Sequence, residues 1–561
     1  MRGPMVVPPP MAHADVEVVD HEMGIRQNKE AASSVHRISG EDSSLEGQDG
    51  HLSRTKSTQD DAAGMRRMGK EQQLVRQFRL LSITSFVAIA TAAWEIGLFV
   101  LTPGLVDGGR SGLLWNTIWN FIGFGPIYLS MAEMASMAPI AGAQYHWVSE
   151  FAPEGSQRFL SYVTGWTSSI AWQAGNAMGI FLVGSLIQTI ILVNDENYSF
   201  PNYHGTLLAI FAMCIAFCGV VYGAKALPYW QNAVFAIHII AYFAYIVPVW
   251  VSAPAATHSE VWLTGWENSG GWSSMGLTVL VGQLAGISQQ VGIDTAAHMS
   301  EEVKDASRAI PKAMITIYLV NFCLIFPAVL TVIYHCPDLE AALGDSTTYP
   351  AIYVLRQAMS VPWITVILVV ICLLNVASNI VYLAAVTRDL FAFARDKGLP
   401  FSKWISTVSE TRHIPVNACI LSCGIAVLLS MIYIGSITAF YAITSLSTLS
   451  LLQCYSLSIG CVLYRRVRHP GSLPPSHFSL GRWGIPVNAM AVTYAIWALF
   501  WCAWPQYVLD ASTFGKSMNY ASIIFVSVLI FAMVYFVFKA RHEYFGPVTE
   551  VEGRKAHFHV R

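Results

Sequence analysis

Apolar runs, each long enough to cross the ~30 Å hydrocarbon core of a bilayer, recur along this chain from residue 83 to residue 538. They fall at 83–105, 114–137, 160–193, 206–222, 232–251, 276–293, 313–333, 361–386, 417–434, 437–463, 487–504 and 521–538, about twelve spans. Lipid offers no hydrogen bonds, so backbone polar groups must be satisfied inside each segment, and runs of this length do so as helices. The chain is therefore read as an all-α polytopic membrane protein. The third and eighth runs exceed the required length, which predicts tilt or a helical extension.

Composition sharpens that reading. Hydrophobic residues make up 54% and charged residues 12%, against roughly 25% charged in soluble domains. A net charge of -2, with no basic cluster interleaved with aromatics, gives nucleic acid no footprint. The ten cysteines lie almost entirely within apolar runs and form neither a disulfide framework nor a CxxC metal pattern. There is no P-loop, HExxH or nucleophile elbow, and the loops are too short for a catalytic domain. Neither an enzyme nor a bound cofactor is expected, and an Arg-rich voltage sensor and a TVGYG-like filter are also missing from the sequence.

Three regions follow. Residues 1–77 are polar and aperiodic and are expected to be a disordered N-terminal tail; 78–540 hold the spans, and 541–561 form a short C-terminal tail. Arg66, Arg67, Lys70, Arg76 and Arg79 precede the first span, and most later Lys and Arg fall on the same side. The opposite side keeps Arg110, Arg356 and Lys516. The positive-inside rule then puts both termini in the cytoplasm. The plasma membrane is the expected address, with the vacuolar membrane as the alternative. Asn197 in Asn-Tyr-Ser lies outside and is a glycosylation acceptor pattern.

Two spans carry glycine beside an acid. The first contains Thr91-Ala-Ala-Trp94-Glu95-Ile96-Gly97, with Glu95 near mid-depth. The sixth contains Gly286, Gly292 and Asp294, with His298, Glu301 and Glu302 following. An acid at bilayer depth is costly unless it faces protein or a wet cavity. Adjacent glycine lets the backbone leave the helix, which lipid tolerates only beside a cavity. Broken helices paired between two halves of a chain point to a transporter binding site. Glu95 and Asp294 are thus candidate substrate or proton sites, the alternative being acids satisfied by neighbouring helices. His298, Glu301 and Glu302 are read as interfacial residues of a gate or loop. His238, inside the fifth span, either carries a proton or makes a structural hydrogen bond. Trp166, Trp172, Gln173 and Asn176 on the third run, with Asn375, Ser378 and Asn379 on the eighth, could hold a ligand. Aromatic faces attract cations and amides orient polar groups. Tyr441, Ser445 and Ser447 on the tenth run are weaker candidates.

The sequence resembles the amino acid–polyamine–organocation superfamily, and within it the fungal amino acid/choline permeases. The resemblance runs from about residue 78 to 548. It rests on residues 132–139 (AEMASMAP) with 142–150 (GAQYHWVSE), 298–302 (HMSEE) through 308–311 (RAIP), and 395–400 (RDKGLP). It implies a LeuT-type fold of two inverted five-span repeats plus two C-terminal helices. It also implies proton-coupled uptake by alternating access, with the site between spans one, three, six, eight and ten. Glu95, Ile96 and Gly97 match the family's unwound part of span one, although Glu stands where Gly or Ala is usual. Gly292 and Asp294 match the span-six glycine and acid, and His238 falls near a span-five cation.

The expected substrate-binding residues are thus Trp94, Glu95, Ile96, Gly97, Trp172, Gly292, Asp294 and Asn375, with Glu95, His238 and Asp294 as the proton-coupling group. An ionised Glu95 would repel a carboxylate by about 4 kcal/mol at 4 Å in an effective dielectric of 20. It would attract an amine instead. The expected partners are protons, the lipid bilayer and a small amine or amino acid such as choline, GABA or a polyamine. A transporter-like nutrient sensor with little net flux is the alternative.

Overall fold

The computed structural model describes residues 60–551 except 348, 435–438, 511, 513 and 515–517. Among these residues the architecture is helical, with isolated β-bridges and no extended strands. Among the described residues, nine helices are long and apolar enough to cross a membrane, from Leu80–Val106 to Ala521–Thr549. The third and eighth spans are the longest, at 38 and 35 residues. At 1.5 Å per residue both exceed the bilayer core by about 20 Å or more, as expected from their sequence.

Three expected spans differ from that pattern. The second is the 29-residue helix Gly109–Met137, which buries Asn116, Asn120, Ser130 and Glu133. The sixth and ninth are the shorter apolar helices Met275–Ser288 and Val416–Met431. A count of twelve therefore rests on three segments that are not long apolar helices. The expected start of the tenth span, at 437, lies outside the described residues.

Polarity explains how the helices arrange. Leu207, Phe211, Ile240, Phe243, Leu373, Ile523 and Phe531 are exposed on the outer helices, an apolar girdle suited to lipid. Polar side chains such as Gln173, Asn176, Asn375 and Ser378 are buried. The third, eighth and tenth spans carry much of this buried polarity, as does the second.

The N-terminal boundary moves. The expected tail ended at residue 77, yet residues 60–67 are helical, and Met65, Met68 and Leu74 are buried. These apolar side chains, sparse in a polar context, pack on the transporter domain. Residues 1–59 of the expected tail lie outside the described residues.

Candidate functional site

Both expected helix breaks are present. In the first span, Leu80–Thr91 ends at Ala92, which adopts left-handed backbone (φ 39°, ψ 50°), and a short helix resumes over Ala93–Gly97. The break thus precedes Glu95, Ile96 and Gly97, where it was expected. Ala92 has only a methyl to accommodate, so the left-handed turn costs least there among its non-glycine neighbours. In the sixth span the helix stops at Ser288 and a new turn starts at Thr295. Between them Gly292 sits at φ 99°, a conformation that glycine alone adopts freely.

The carbonyls released at these breaks find partners on neighbouring helices, as buried backbone must. Ser378 donates from its hydroxyl to the Ala90 carbonyl at 3.2 Å. Tyr128 donates to the Gln290 carbonyl at 2.5 Å. The breaks are thereby held open, and a cavity of about 60 Å³ lies between them. Thr91, Ile96 and Val100 of span one line it with Met178 and Gly179 of span three and Ser288 and Gly292 of span six. Ser378, Asn379 and Tyr382 of span eight and Thr444, Ser447 and Thr448 of span ten close the ring. These are the five spans that the resemblance implied. Among the described residues, no charged side chain lines the cavity.

Of the expected substrate-binding residues, Ile96 and Gly292 line this space. The others stand behind it. Trp94 is fully buried and packs against His238, Tyr242 and Tyr245 of span five, with ring centroids at 5.9, 5.8 and 6.2 Å. Gly97 faces span seven so closely that a Cβ would sit 2.0 Å from the Ile325 side chain. Trp172 stacks edge-on against His298 at 4.8 Å and beside Tyr382 at 5.1 Å. Asn375 donates to the Ile371 carbonyl of its own helix at 2.9 Å. The helical rotation of each span decided these placements.

Glu95 is also turned from the cavity, toward span five. Its Oε1 lies 2.5 Å from His238 Nδ1, and both side chains are about 1% exposed. Oε2 of Glu95 and Nε2 of His238 have no hydrogen-bond partner among the described residues. The sequence expectation of a carboxylate facing the ligand therefore gives way to a buried acid–base pair one residue behind the cavity wall. Asp294 is held differently. Tyr455 donates to its Oδ1 at 2.6 Å and Gln144 to its Oδ2 at 2.6 Å, so the acid staples span six to span ten and to the helix Ala143–Phe151.

Residues missed by name in sequence, such as Tyr382, Thr444 and Thr448, did leave a signal. Ser378 and Tyr382, or Thr444, Ser447, Thr448 and Leu451, are spaced to share one helix face, and polarity on one face of an apolar span marks the side turned to other helices.

Below the cavity, toward the N-terminal segment, the chemistry changes to ion pairs. Arg395 grips Glu301 through two contacts at 3.0 and 2.8 Å, and Arg388 Nε donates to Glu302 at 2.7 Å. His298 Nδ1 donates to the Ala141 carbonyl at 2.9 Å. His298, Glu301 and Glu302 were expected in solvated surroundings; all three are buried, because Arg395, Arg388 and backbone partners replace water. Lys70 bridges Asp396 at 2.5 Å and Glu550 at 2.6 Å, joining the two terminal segments to the end of span eight. Burial opposes charge on both Lys70 and Asp396, but Asp396 and Glu550 together hold the ammonium above its usual range, and Lys70 and Arg395 together hold the carboxyl below. Asn197 is exposed in the loop on the opposite face, its side-chain amide 3.3 Å from Asp195.

The amino acid permease family model matches residues 79–529. The GABA-specific permease of Saccharomyces cerevisiae is 26% identical over 86% of this chain and 85% of its own length. The choline transporter of the same yeast is 24% identical over 87% of this chain and 85% of its own length. A manganese transporter from Eremococcus coleocola superposes with a TM-score of 0.50 at 12% identity, covering 82% of this chain and 95% of that one; this likeness carries the LeuT-type fold and nothing more. With a family match over most of its length and the cavity formed where two helices break, the chain is a multi-pass membrane transporter, not an enzyme, and belongs to the amino acid permease family.

Proposed function

We propose that this protein takes up a small zwitterion, an amino acid or a GABA-like amino acid, by proton-coupled alternating access. The observation that carries the reading is the cavity at the two breaks, which is bounded by hydroxyls, the Asn379 amide, backbone and apolar side chains and, among the described residues, by no charged side chain. A zwitterion brings its own counter-charge, and backbone amides and carbonyls near helix breaks can meet its two ends. A polyamine would enter with several positive charges and meet no carboxylate in the lining. The names of the yeast relatives, a GABA-specific permease and a choline transporter, keep amines in the substrate class, and family membership favours transport over a sensor role.

The Glu95–His238 pair is the proposed proton carrier. Paired at 2.5 Å, the two groups bury no net charge whether they stand as neutral partners or as an ion pair. Taking one more proton makes the pair cationic, and an unbalanced charge at bilayer depth costs about 2.5–3.5 kcal/mol or more. A substrate carboxylate arriving in the adjoining cavity would offset that cost. Loading of proton and substrate then favour each other, which is the coupling a symporter needs. The ion-pair layer of Glu301, Glu302, Arg388 and Arg395 serves as the gate on the N-terminal side, which we assign to the cytoplasm. The plasma membrane is the proposed address, and Asn197 on the outer face a proposed glycosylation site.

The test is uptake of radiolabelled GABA, several amino acids, choline and a polyamine in transport-deficient yeast, at pH 5 and 7.5, with and without an uncoupler. Saturable zwitterion uptake that collapses with uncoupler is the expected result. Accumulation of choline or polyamine alone would overturn the zwitterion assignment, and uptake indifferent to uncoupler would overturn the proton coupling.

A further inference from the structure

One turn beyond the central cavity, on the face opposite the N-terminal segment, a second and smaller cavity of about 30 Å³ is formed. It uses the same spans: Pro103 and Asp107 from the end of span one, Val281 and Leu284 from span six, and Tyr441 and Ser445 from span ten. Pro103, Leu284 and Tyr441 lie about one helical turn outward from Val100, Ser288 and Thr444 of the central cavity. Trp504 covers it, with Trp272 packed edge-on against Trp504 at 5.4 Å.

Asp107 is the unusual member. Its side chain is fully buried, yet among the described residues neither carboxylate oxygen accepts a hydrogen bond. The indole N–H of Trp272 stands beside the carboxyl and acts on it, but the two do not meet in good hydrogen-bond geometry. Arg110, the closest cation in sequence, is turned away and donates to the carbonyls of Cys336 and Pro337 at 2.7 and 2.9 Å. The backbone explains why the acid stays in place: Gly108 N–H donates to the Glu267 carbonyl and Ser269 N–H to the Val106 carbonyl, at 3.0 and 3.1 Å. The end of span one is thereby pinned to the loop that leads into span six. A buried, unpartnered acid is a standing cost unless something binds it.

We propose that Asp107, with the ring faces of Trp504 and Tyr441, forms an outer site that takes the ammonium group of the incoming substrate before it reaches the central cavity. A carboxylate supplies the counter-charge that the central cavity lacks, and aromatic faces favour an organic cation over a strongly hydrated inorganic one. The site is occluded in this conformation and widens when the outer ends of spans one and six part. The inference rests on the proposed uptake of an amine-bearing substrate, and it deepens that reading by assigning the first contact on the route.

Two measurements separate the outcomes. In the uptake assay, Asp107→Asn is expected to raise KM about tenfold with Vmax within twofold, and Asp107→Glu to stay within threefold of wild type. On the purified full-length chain, methylammonium chloride is expected to change tryptophan fluorescence saturably, sodium chloride at equal ionic strength to have no such effect, and Asp107→Asn to abolish the response. If no substrate is taken up even by the wild type, the proposed function fails, and the fluorescence titration alone decides the site. A wild-type response equal to that of Asp107→Asn overturns the proposal. So does a saturable response to sodium chloride that Asp107→Asn removes, which would assign the site to an inorganic cation.

Discussion

The two helix breaks look equivalent in sequence, each an acid close to glycine in an apolar run, but they are built differently. At the first, Glu95 meets a titratable base, His238, at 2.5 Å. At the second, Asp294 is held by two neutral donors, Tyr455 and Gln144, both at 2.6 Å. An imidazole can take up and release a proton, whereas a phenol and an amide act here as neutral donors. On the proposed reading the acid at the first break carries the proton and the acid at the second fixes geometry. The lesson is that an intramembrane carboxylate declares its role through the group opposite it, not through its own depth.

That contrast can be broken by experiment. The largest effect is expected from Asp294→Ala, which leaves the Tyr455 hydroxyl and the Gln144 amide buried without their partner. At ~1–3 kcal/mol for each stranded group, the loss should appear as a marked fall in melting temperature and in folded yield after detergent extraction. A stability equal to wild type would mean that Asp294 is no staple.

Gly292→Ala comes next. The added Cβ would meet only Thr91 Cγ2, at 3.8 Å, so space is available and the penalty is the strained φ of 99°, about 1–3 kcal/mol. Destabilisation with substrate selectivity retained is the expected outcome, read by thermal unfolding and competition uptake. Changed selectivity without destabilisation would place the glycine's role in ligand contact.

Glu95→Gln should behave in the opposite way to Asp294→Ala. Gln can still hydrogen-bond His238, so the melting temperature should hold. Uptake at pH 5 should fall about tenfold, equivalent to about 1.4 kcal/mol, and lose its pH dependence. If Asp294→Asn flattened the pH profile and Glu95→Gln did not, the assignment of roles would be reversed.

The smallest effect belongs to the ionic latch. Asp396 has its carboxyl held below the usual range by Lys70 and Arg395 against the opposing effect of burial. A depressed acid contributes stability above its unfolded pKa, near 3.8, and loses it only as pH falls through the lower folded value. Between pH 7.5 and 5 the Lys70–Asp396 contact should therefore persist, and Lys70→Met should shift uptake at both pH values by the same factor. A pH-dependent difference between that variant and wild type would mean that the latch, and not the buried pair, senses protons.

Much of the fold was legible because lipid imposes a simple rule. Runs long enough to cross the bilayer must be helices, and the helices Gln157–Asn194 and Val361–Arg395 stand where the longest runs were read. The second span was read at 114–137 and ends there, but the helix starts earlier, at Gly109, and its buried Asn116 and Asn120 dilute the apolar signal that lipid would demand of an exposed helix. The helix at residues 60–67 was missed for a related reason: a few apolar contacts, those of Met65 and Met68 among them, secure it against a domain that the local sequence does not contain.

Sequence by itself determined the membrane helices, the presence of a break in spans one and six, and the acids and base that distinguish this chain. Those properties are local, set by hydropathy over one span or by glycine at one position. Only the tertiary structure decided which way each residue turns. Glu95 and Ile96 are neighbours in the chain, yet about 100° of rotation on a helix sends one to His238 and the other to the cavity. The same packing left Asp107 without a hydrogen-bond partner among the described residues and gave Asp294 two, since a partner some 150 residues away is a fact of helix packing and has no trace in the residues on either side.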